Sequence, residues 1–102
     1  MDEPASKPNI LIVDDRKENL LATEKALKNL SATLFRANSG NEALSLMLRH
    51  KFAVVLLDVQ MPEMDGFETA ALIQEEESMR STPIIFVTAI SKEDKYASRA
   101  AE

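Results

Sequence analysis

Cysteine is absent from this sequence, so neither a disulfide framework nor a thiolate metal site is possible. Glycine occurs only twice, and the residues that follow the first apolar run, DDRKEN, contain none. A nucleotide-binding domain needs a glycine-rich turn at that point, so this class of protein is disfavoured. Long apolar runs are also missing, because no hydrophobic stretch approaches the length that spans a membrane.

Basic residues are scarce relative to acidic ones. Twelve lysines and arginines stand against 17 aspartates and glutamates, which gives a formal net charge of −5. Nucleic-acid phosphates bind to basic surface, so this balance argues against a nucleic-acid partner. The N-terminus is polar, contains two prolines and lacks the apolar core of a signal peptide. We therefore expect a flexible leader over residues 1–9 and a cytoplasmic protein.

The length of 102 residues allows one small domain, which we place at residues 10–102. Four short apolar runs predict strands, and the segments that follow them have the apolar spacing of helices. The predicted strands are Ile10–Val13, Thr33–Ala37, Ala53–Leu57 and Pro83–Val87, and the predicted helices are Arg16–Leu30, Asn41–His50, Phe67–Glu76 and Lys92–Ala100. This alternation indicates an α/β fold, in which a doubly wound parallel sheet carries helices on both faces.

Polar side chains stand at the C-terminal ends of three of the four predicted strands. Asp14 and Asp15 follow the first strand, Asp58 follows the third, and Thr88 follows the fourth. A strand order of 3-2-1 would leave Asp58 roughly 10 Å from the acidic pair. The flavodoxin-like order 2-1-3-4 instead makes the first and third strands neighbours at a topological switch point, where their carboxylates can reach one ion. Such an all-oxygen ligand set suits Mg²⁺.

Three segments carry a resemblance to a known family. The first strand reads ILIVDD, the third continues as VVLLDVQMPEMDGFE, and the fourth reads PIIFVTA. With these segments in this order, the chain resembles the response-regulator receiver domain of two-component signalling over almost its whole length. The resemblance implies that Asp58 accepts a phosphoryl group from a kinase phosphohistidine.

The same resemblance implies the roles of the neighbouring residues. Asp15 and Asp58 would ligate Mg²⁺ together with the backbone carbonyl of Gln60, and Asp14 would act through ordered water. Thr88 would hydrogen-bond the phosphoryl oxygens and serve as the switch residue. The implied partners are a sensor histidine kinase or hybrid-kinase domain and an output domain. Such a domain is a phosphoacceptor that assists its own phosphorylation and dephosphorylation, not a turnover enzyme.

The sequence departs from the family pattern at its C-terminal end. A full receiver continues with a fifth strand, whose lysine pairs with the phosphoryl group, and with a fifth helix, and this sequence stops before them. A full receiver also has an aromatic switch residue in this missing part. Lys92, Lys95 and Tyr96 fall in or near the predicted fourth helix, so the lysines are not assigned the phosphoryl contact and Tyr96 is not assigned the switch role. We expect a truncated domain whose fourth strand is an exposed edge, through which the chain could dimerise.

Two alternatives are compared with the phosphoacceptor hypothesis. A receiver-like interaction module that works without phosphorylation is favoured by the missing lysine and disfavoured by the intact acidic pocket. An aspartyl-nucleophile phosphohydrolase would carry a second aspartate two residues after Asp58, where this chain has Gln60. The single histidine, His50, ends a predicted helix and is interpreted as a partner of the helix dipole. Glu75–Glu77 is interpreted as the solvated end of a helix.

Overall fold

The computed structural model describes residues 7–87, which form four strands and three helices. The strands are β1 (Asn9–Val13), β2 (Thr33–Ala37), β3 (Val54–Asp58) and β4 (Ile84–Val87), and the helices are α1 (Lys17–Leu27), α2 (Gly40–Arg49) and α3 (Gly66–Glu75). The predicted alternation of strands and helices is confirmed over this range. Residues 1–6, Thr88 and the predicted helix Lys92–Ala100 lie outside the described residues.

All strand pairs are parallel, and the order across the sheet is β2-β1-β3-β4. The predicted order 2-1-3-4 is therefore confirmed. β1 and β3 are neighbours in a register that pairs Val13 with Leu57, so the two strands end at the same edge of the sheet. The residues that follow Val13 and Leu57 are consequently brought together at the topological switch point.

Apolar side chains cover both faces of the sheet, as the unbroken apolar runs predict. α2 and α3 pack on one face and α1 packs on the other. The first core includes Leu11, Val13, Ala37, Val55 and Leu57 from the strands with Ala43, Met47 and Ile73 from the helices, and the second is built on Ile10, Ile12 and Leu20. β1 contributes to both cores and is the most enclosed strand, which gives the site beside it a rigid base.

Local hydrogen bonds explain where the helices begin. The spacing of Ser39 and Glu42 predicts a capping box before α2. The Ser39 hydroxyl does accept the Glu42 N–H, but the Glu42 carboxylate accepts the N–H of Asn38 instead of that of Ser39. α3 has a complete capping box, in which Asp65 accepts the Glu68 N–H and Glu68 accepts the Asp65 N–H. These caps satisfy backbone donors that the first helical turn leaves free.

β4 is the last strand of the described sheet on one side. Its side chains Ile85, Phe86 and Val87 are between 37% and 53% exposed, although all are apolar. Phe86 contacts Phe67 at the start of α3, with the two ring centroids 5.0 Å apart. Apolar surface of this kind on a strand at the edge of a sheet favours contact with further protein.

Candidate functional site

Three carboxylates meet where β1 and β3 end. Asp14 and Asp15 follow β1 directly, and Asp58 is the last residue of β3. One carboxylate oxygen from each residue lies within 4.8 Å of those of the other two. The strand register thus brings together the acidic residues that the sequence predicts as one site. Carboxylates this close repel one another unless a proton or a cation lies between them.

Asp14 is buried and is held by three hydrogen bonds. Its Oδ1 accepts the backbone N–H of Arg16 at 2.9 Å and the side-chain amide of Asn19 at 3.4 Å. Its own backbone N–H donates to the carbonyl of Ala37 at the end of β2, at 3.1 Å. Asp14 is therefore the member of the acidic pair that organises the start of α1. Asn19 was not singled out in the sequence, although its position in the first turn of α1 places it near the strand end.

Asp15 is exposed, in contrast to its two partners. Its side chain lines a polar surface depression together with Lys17, Arg36, Asn38 and others between the ends of β1 and β2. The cluster consequently has two buried carboxylates at its base and one at its mouth. An ion or a small ligand can approach from the side of Asp15.

Asp58 is only 4% exposed, and its pKa is raised above the ordinary value of 3.8. Burial is the largest cause, because it disfavours the charged carboxylate, and the charge of Asp14 adds to it. A hydrogen bond from the backbone N–H of Gln60 acts in the opposite direction, while Asp15 raises the pKa further and Arg16 lowers it. The folded structure thus holds Asp58 in an environment that destabilises its ionised carboxylate.

Gly66 determines how closely α3 approaches Asp58. The N–H of Gly66 donates to the carbonyl of Val59 at 3.1 Å. A Cβ atom at Gly66 would lie 2.7 Å from the Cα of Val59 and would collide with the backbone carbonyl of Asp58. Backbone atoms cannot rotate aside as a side chain can, so any larger residue has to displace the Asp58 segment or the helix. The sequence shows this glycine but not the contact that requires it.

The loop between β3 and α3 contains a tight three-residue turn. The N–H of Met64 donates to the carbonyl of Pro62 at 2.7 Å, and Glu63 between them has a φ of 68°. A non-glycine residue in this region is uncommon and strained. The turn shortens the path from Asp58 to α3 and lets Gly66 reach the Val59 carbonyl.

The other predicted site residues stand as follows. Gln60 is exposed and lies two residues after Asp58, and its carbonyl remains a predicted ligand. Thr88 lies outside the described residues, next in sequence to Val87, which pairs with Asp58 in the sheet.

His50 caps α2 and packs its ring on Phe35, with centroids 4.7 Å apart. Because α2 runs against the strand direction, His50 lies at the sheet edge opposite the acidic cluster.

Comparison with known proteins gives a consistent result. Residues 10–102 match the response regulator receiver domain family. The chain is 49% identical over 67 residues to probable histidine kinase 4 of Oryza sativa subsp. japonica, a match that covers 65% of this chain and 7% of that protein. It is 37% identical over 84 residues to the transcriptional regulatory protein SrrA of Staphylococcus aureus, which covers 82% of this chain and 34% of SrrA. The chain therefore spans a small part of these relatives.

Solved structures show the same likeness in three dimensions. The N-terminal domain of a response regulator receiver protein from Methanoculleus marisnigri JR1 superimposes with a TM-score of 0.78 at 29% identity, over 93% of this chain and 79% of that one. The Vibrio cholerae chemotaxis protein CheY4 gives a TM-score of 0.77 at 29% identity, over 93% and 80%. Among the helices in residues 7–87, none is long and apolar enough to cross a membrane.

Proposed function

Because the chain belongs to the response regulator receiver domain family, we propose that it is a phosphoacceptor signalling domain in which Asp58 takes a phosphoryl group from a kinase phosphohistidine. The observation that supports this best is the cluster of Asp14, Asp15 and Asp58, whose oxygens lie within 4.8 Å of one another. The domain assists its own phosphorylation and dephosphorylation and is not a turnover enzyme.

The acidic cluster fits Mg²⁺, which domains of this family typically bind at an acidic pocket, because its donors are all oxygens and one side is open to solvent. Asp15, Asp58 and the backbone carbonyl of Gln60 would hold the ion, with Asp14 acting through water. When bound, the ion supplies positive charge that offsets the repulsion between the carboxylate and the incoming phosphoryl group.

The residues of the chain carry out the transfer itself. An Asp58 carboxylate oxygen forms a bond to phosphorus while the bond from phosphorus to the imidazole nitrogen of the kinase breaks, and the product is an acyl phosphate. The Gln60 N–H that already lowers the pKa of Asp58 helps to keep this nucleophile ionised. Thr88 is the proposed phosphoryl contact and switch, through which the phosphorylated state controls an output domain or partner.

The names of the relatives support a histidine kinase as the class of partner. They include proteins named as histidine kinases and as a transcriptional regulator, in which a domain like this one is a small part of the whole chain. We infer a sensor histidine kinase or a hybrid-kinase domain as the phosphoryl donor and a cytoplasmic location for the domain.

Incubation with Mg²⁺ and acetyl phosphate, followed by intact-mass spectrometry, tests the proposal. The wild type should gain the mass of one phosphoryl group. No such gain should occur when a chelator replaces Mg²⁺, or in the variant Asp58→Asn. Asp15→Asn should lower the labelling strongly, because it removes a charged metal ligand. Glu18→Gln removes an acid from the first turn of α1 outside the cluster and should label like the wild type.

Labelling that persists in Asp58→Asn would show that another residue is the acceptor. A folded wild type that binds Mg²⁺ but takes no phosphoryl group would contradict the proposal. That result would favour the receiver-like module that acts without phosphorylation.

A further inference from the structure

An apolar groove runs between α2 and α3, on the side of these helices that faces away from the sheet. Leu44 and Leu48 of α2 form one wall, and Ala71 and Leu72 of α3 form the other. Leu48 is 67% exposed and Leu72 is 39% exposed. Leu72 lines both the depression beside Met64 and the depression beside Leu48, so the two are parts of one continuous surface. We call this surface the α2–α3 groove.

The α3 wall of the groove has a regular arrangement of charge. Ala71 and Leu72 are flanked along the helix by Glu68 on one side and by Glu75 and Glu76 on the other. The spacing of 68, 71, 72 and 75 places these four residues on one helical face, and Glu76, which follows the end of α3, lines the same depression as Glu75. Two of the three residues interpreted as the solvated end of a helix therefore stand beside exposed apolar side chains.

The charged side chains that residues 7–87 contribute to this surface are acidic. Among these residues, those that line the two depressions include four glutamates, Glu63 being one, and no lysine or arginine. Arg80, which lies close in sequence, donates instead to the carbonyls of Gln74 and Glu75 at the end of α3. The groove thus combines apolar walls with acidic side chains along its α3 side, and a complementary partner carries apolar and basic side chains side by side.

The shape of the groove favours a helix as its occupant. Both walls are helices that connect parallel strands, so α2 and α3 run in the same direction. Leu44 and Leu48 lie one turn apart on α2, and Leu72 of α3 lines the same depression. Each helix has ten residues and is thus about 15 Å long, which matches three turns of an occupying helix. Binding of an amphipathic helix in an apolar groove is a common mode of protein recognition.

We propose that the α2–α3 groove docks an amphipathic helix of a partner protein, with a leucine-rich stripe against Leu48 and Leu72 and with lysines or arginines against Glu68, Glu75 and Glu76. The groove contains none of the three clustered aspartates, so this contact is separate from the phosphoacceptor site. It gives the domain a second surface for protein recognition.

Two hydrocarbon-stapled peptides of about three helical turns test this proposal, and stapling is used because short helices are marginal in water. They share one leucine stripe and differ only in having lysine or glutamate beside it. Fluorescence anisotropy should show binding of the lysine peptide and little binding of the glutamate peptide. Leu72→Ser should weaken the lysine peptide about tenfold, as expected for loss of a central apolar contact.

Matched variants separate the groove from a general loss of structure. Leu21→Ser alters a leucine of α1 that is 49% exposed on the opposite face, and it should leave peptide affinity unchanged. The double variant Glu75→Gln, Glu76→Gln changes only exposed side chains, so it should fold normally while it weakens the lysine peptide and reduces the salt dependence. Asp58→Asn should bind the peptide as the wild type does, which distinguishes this proposal from the phosphoacceptor proposal.

Several results would overturn the proposal. Equal binding of both peptides, or unchanged binding by Leu72→Ser and by the glutamine double variant, would show that the groove is not the docking site. Self-association that is lost in Leu72→Glu would show that a second copy fills the groove. Changes in the amide resonances of residues 88–102 in Leu72→Glu, without peptide, would show that the chain covers the groove with its own segment.

Discussion

At the scale of single residues, the acidic cluster is held together by the fold against its own repulsion. Asp14 is fixed by the Arg16 N–H and the Asn19 amide, whereas the pKa of Asp58 is raised by burial and by Asp14. Neutralisation of Asp58 should therefore relieve strain in the metal-free protein. A cation should relieve the same strain while leaving the carboxylate ionised and able to react.

Asp58→Asn should make the metal-free protein more stable than the wild type at neutral pH. The raised pKa means that folded Asp58 binds a proton more tightly than unfolded Asp58, so the free energy of unfolding of the wild type falls as pH rises from about 3.8 through the folded pKa. The advantage of the variant should shrink as pH falls through that window. Urea unfolding of both proteins in chelator across this pH range measures the difference between their free energies of unfolding. Glu18→Gln, which removes an acid outside the cluster, is the control.

Excess Mg²⁺ should reverse the order of stability in the same experiment. A ligand that binds only the folded state adds about 2.7 kcal/mol at roughly 100 times its Kd, and the variant lacks one charged ligand. An Asp58→Asn protein that is less stable than the wild type even in chelator would contradict the direction of the pKa shift. Equal stabilisation of the two proteins by Mg²⁺ would show that Asp58 does not bind the metal ion.

At the scale of elements, the site depends on how α3 begins. The tight turn at Glu63, the Asp65–Glu68 capping box and the Gly66 N–H bond to Val59 fix the helix start against the end of β3. Gly40 at the start of α2 is also enclosed, but its neighbours are the side chains of Thr69 and Met64 rather than backbone. The two glycines of the chain consequently differ in what a larger residue would have to move.

Gly66→Ala should be more damaging than Gly40→Ala. At Gly66 the new methyl group meets the backbone of Asp58 and Val59, and overpacking of this kind typically costs about 1–3 kcal/mol or more. At Gly40 the methyl group meets the side chains of Thr69 and Met64, which can rotate aside at the cost of the hydrogen bond from Thr69 to the Asp65 carbonyl, so the loss of stability should be smaller. Thermal unfolding and Mg²⁺ titration of both variants test this, and only Gly66→Ala should lower Mg²⁺ affinity. Equal metal affinity in both would mean that α3 does not position Asp58.

At the scale of the whole molecule, the described sheet leaves β4 with exposed apolar side chains. Ile85 and Val87 project from one face and Phe86 from the other, because side chains alternate along a strand. This surface differs from the α2–α3 groove, which is built from helices. Contacts at β4 and contacts at the α2–α3 groove can therefore be tested independently.

We expect the 102-residue chain to self-associate through β4, since its exposed apolar side chains favour pairing with a second copy. Sedimentation at several concentrations should show a dimer or larger species for the wild type. Ile85→Lys should shift the protein toward monomer, whereas Leu72→Glu in the groove should leave association unchanged. A wild type that stays monomeric and cooperatively folded at high concentration would show that this edge is protected.

Much of the fold and of the site could be predicted from the sequence because the signals are local. Apolar runs at β1 and β3 identify buried strands, and an aspartate directly after such a run lies at the C-terminal edge of a parallel sheet whichever way the strands pair. The resemblance of DVQMPEMDG to a known family adds predicted roles for Asp58 and Gln60. The sheet order followed from the need to bring the carboxylates together, and the structure confirms it.

Contacts between distant segments were decided only by the tertiary structure. The amide of Asn19 at Asp14, the backbone of Asp58 against Gly66 and the packing of His50 on Phe35 all depend on how helices lie against the sheet. The sequence indicates only that Glu75 and Glu76 are the solvated end of a helix, whereas the structure shows that they line the same depression as Leu48 of α2. Periodicity shows which face of a helix is apolar or charged, but the neighbour that shares that face is set by packing across the sheet.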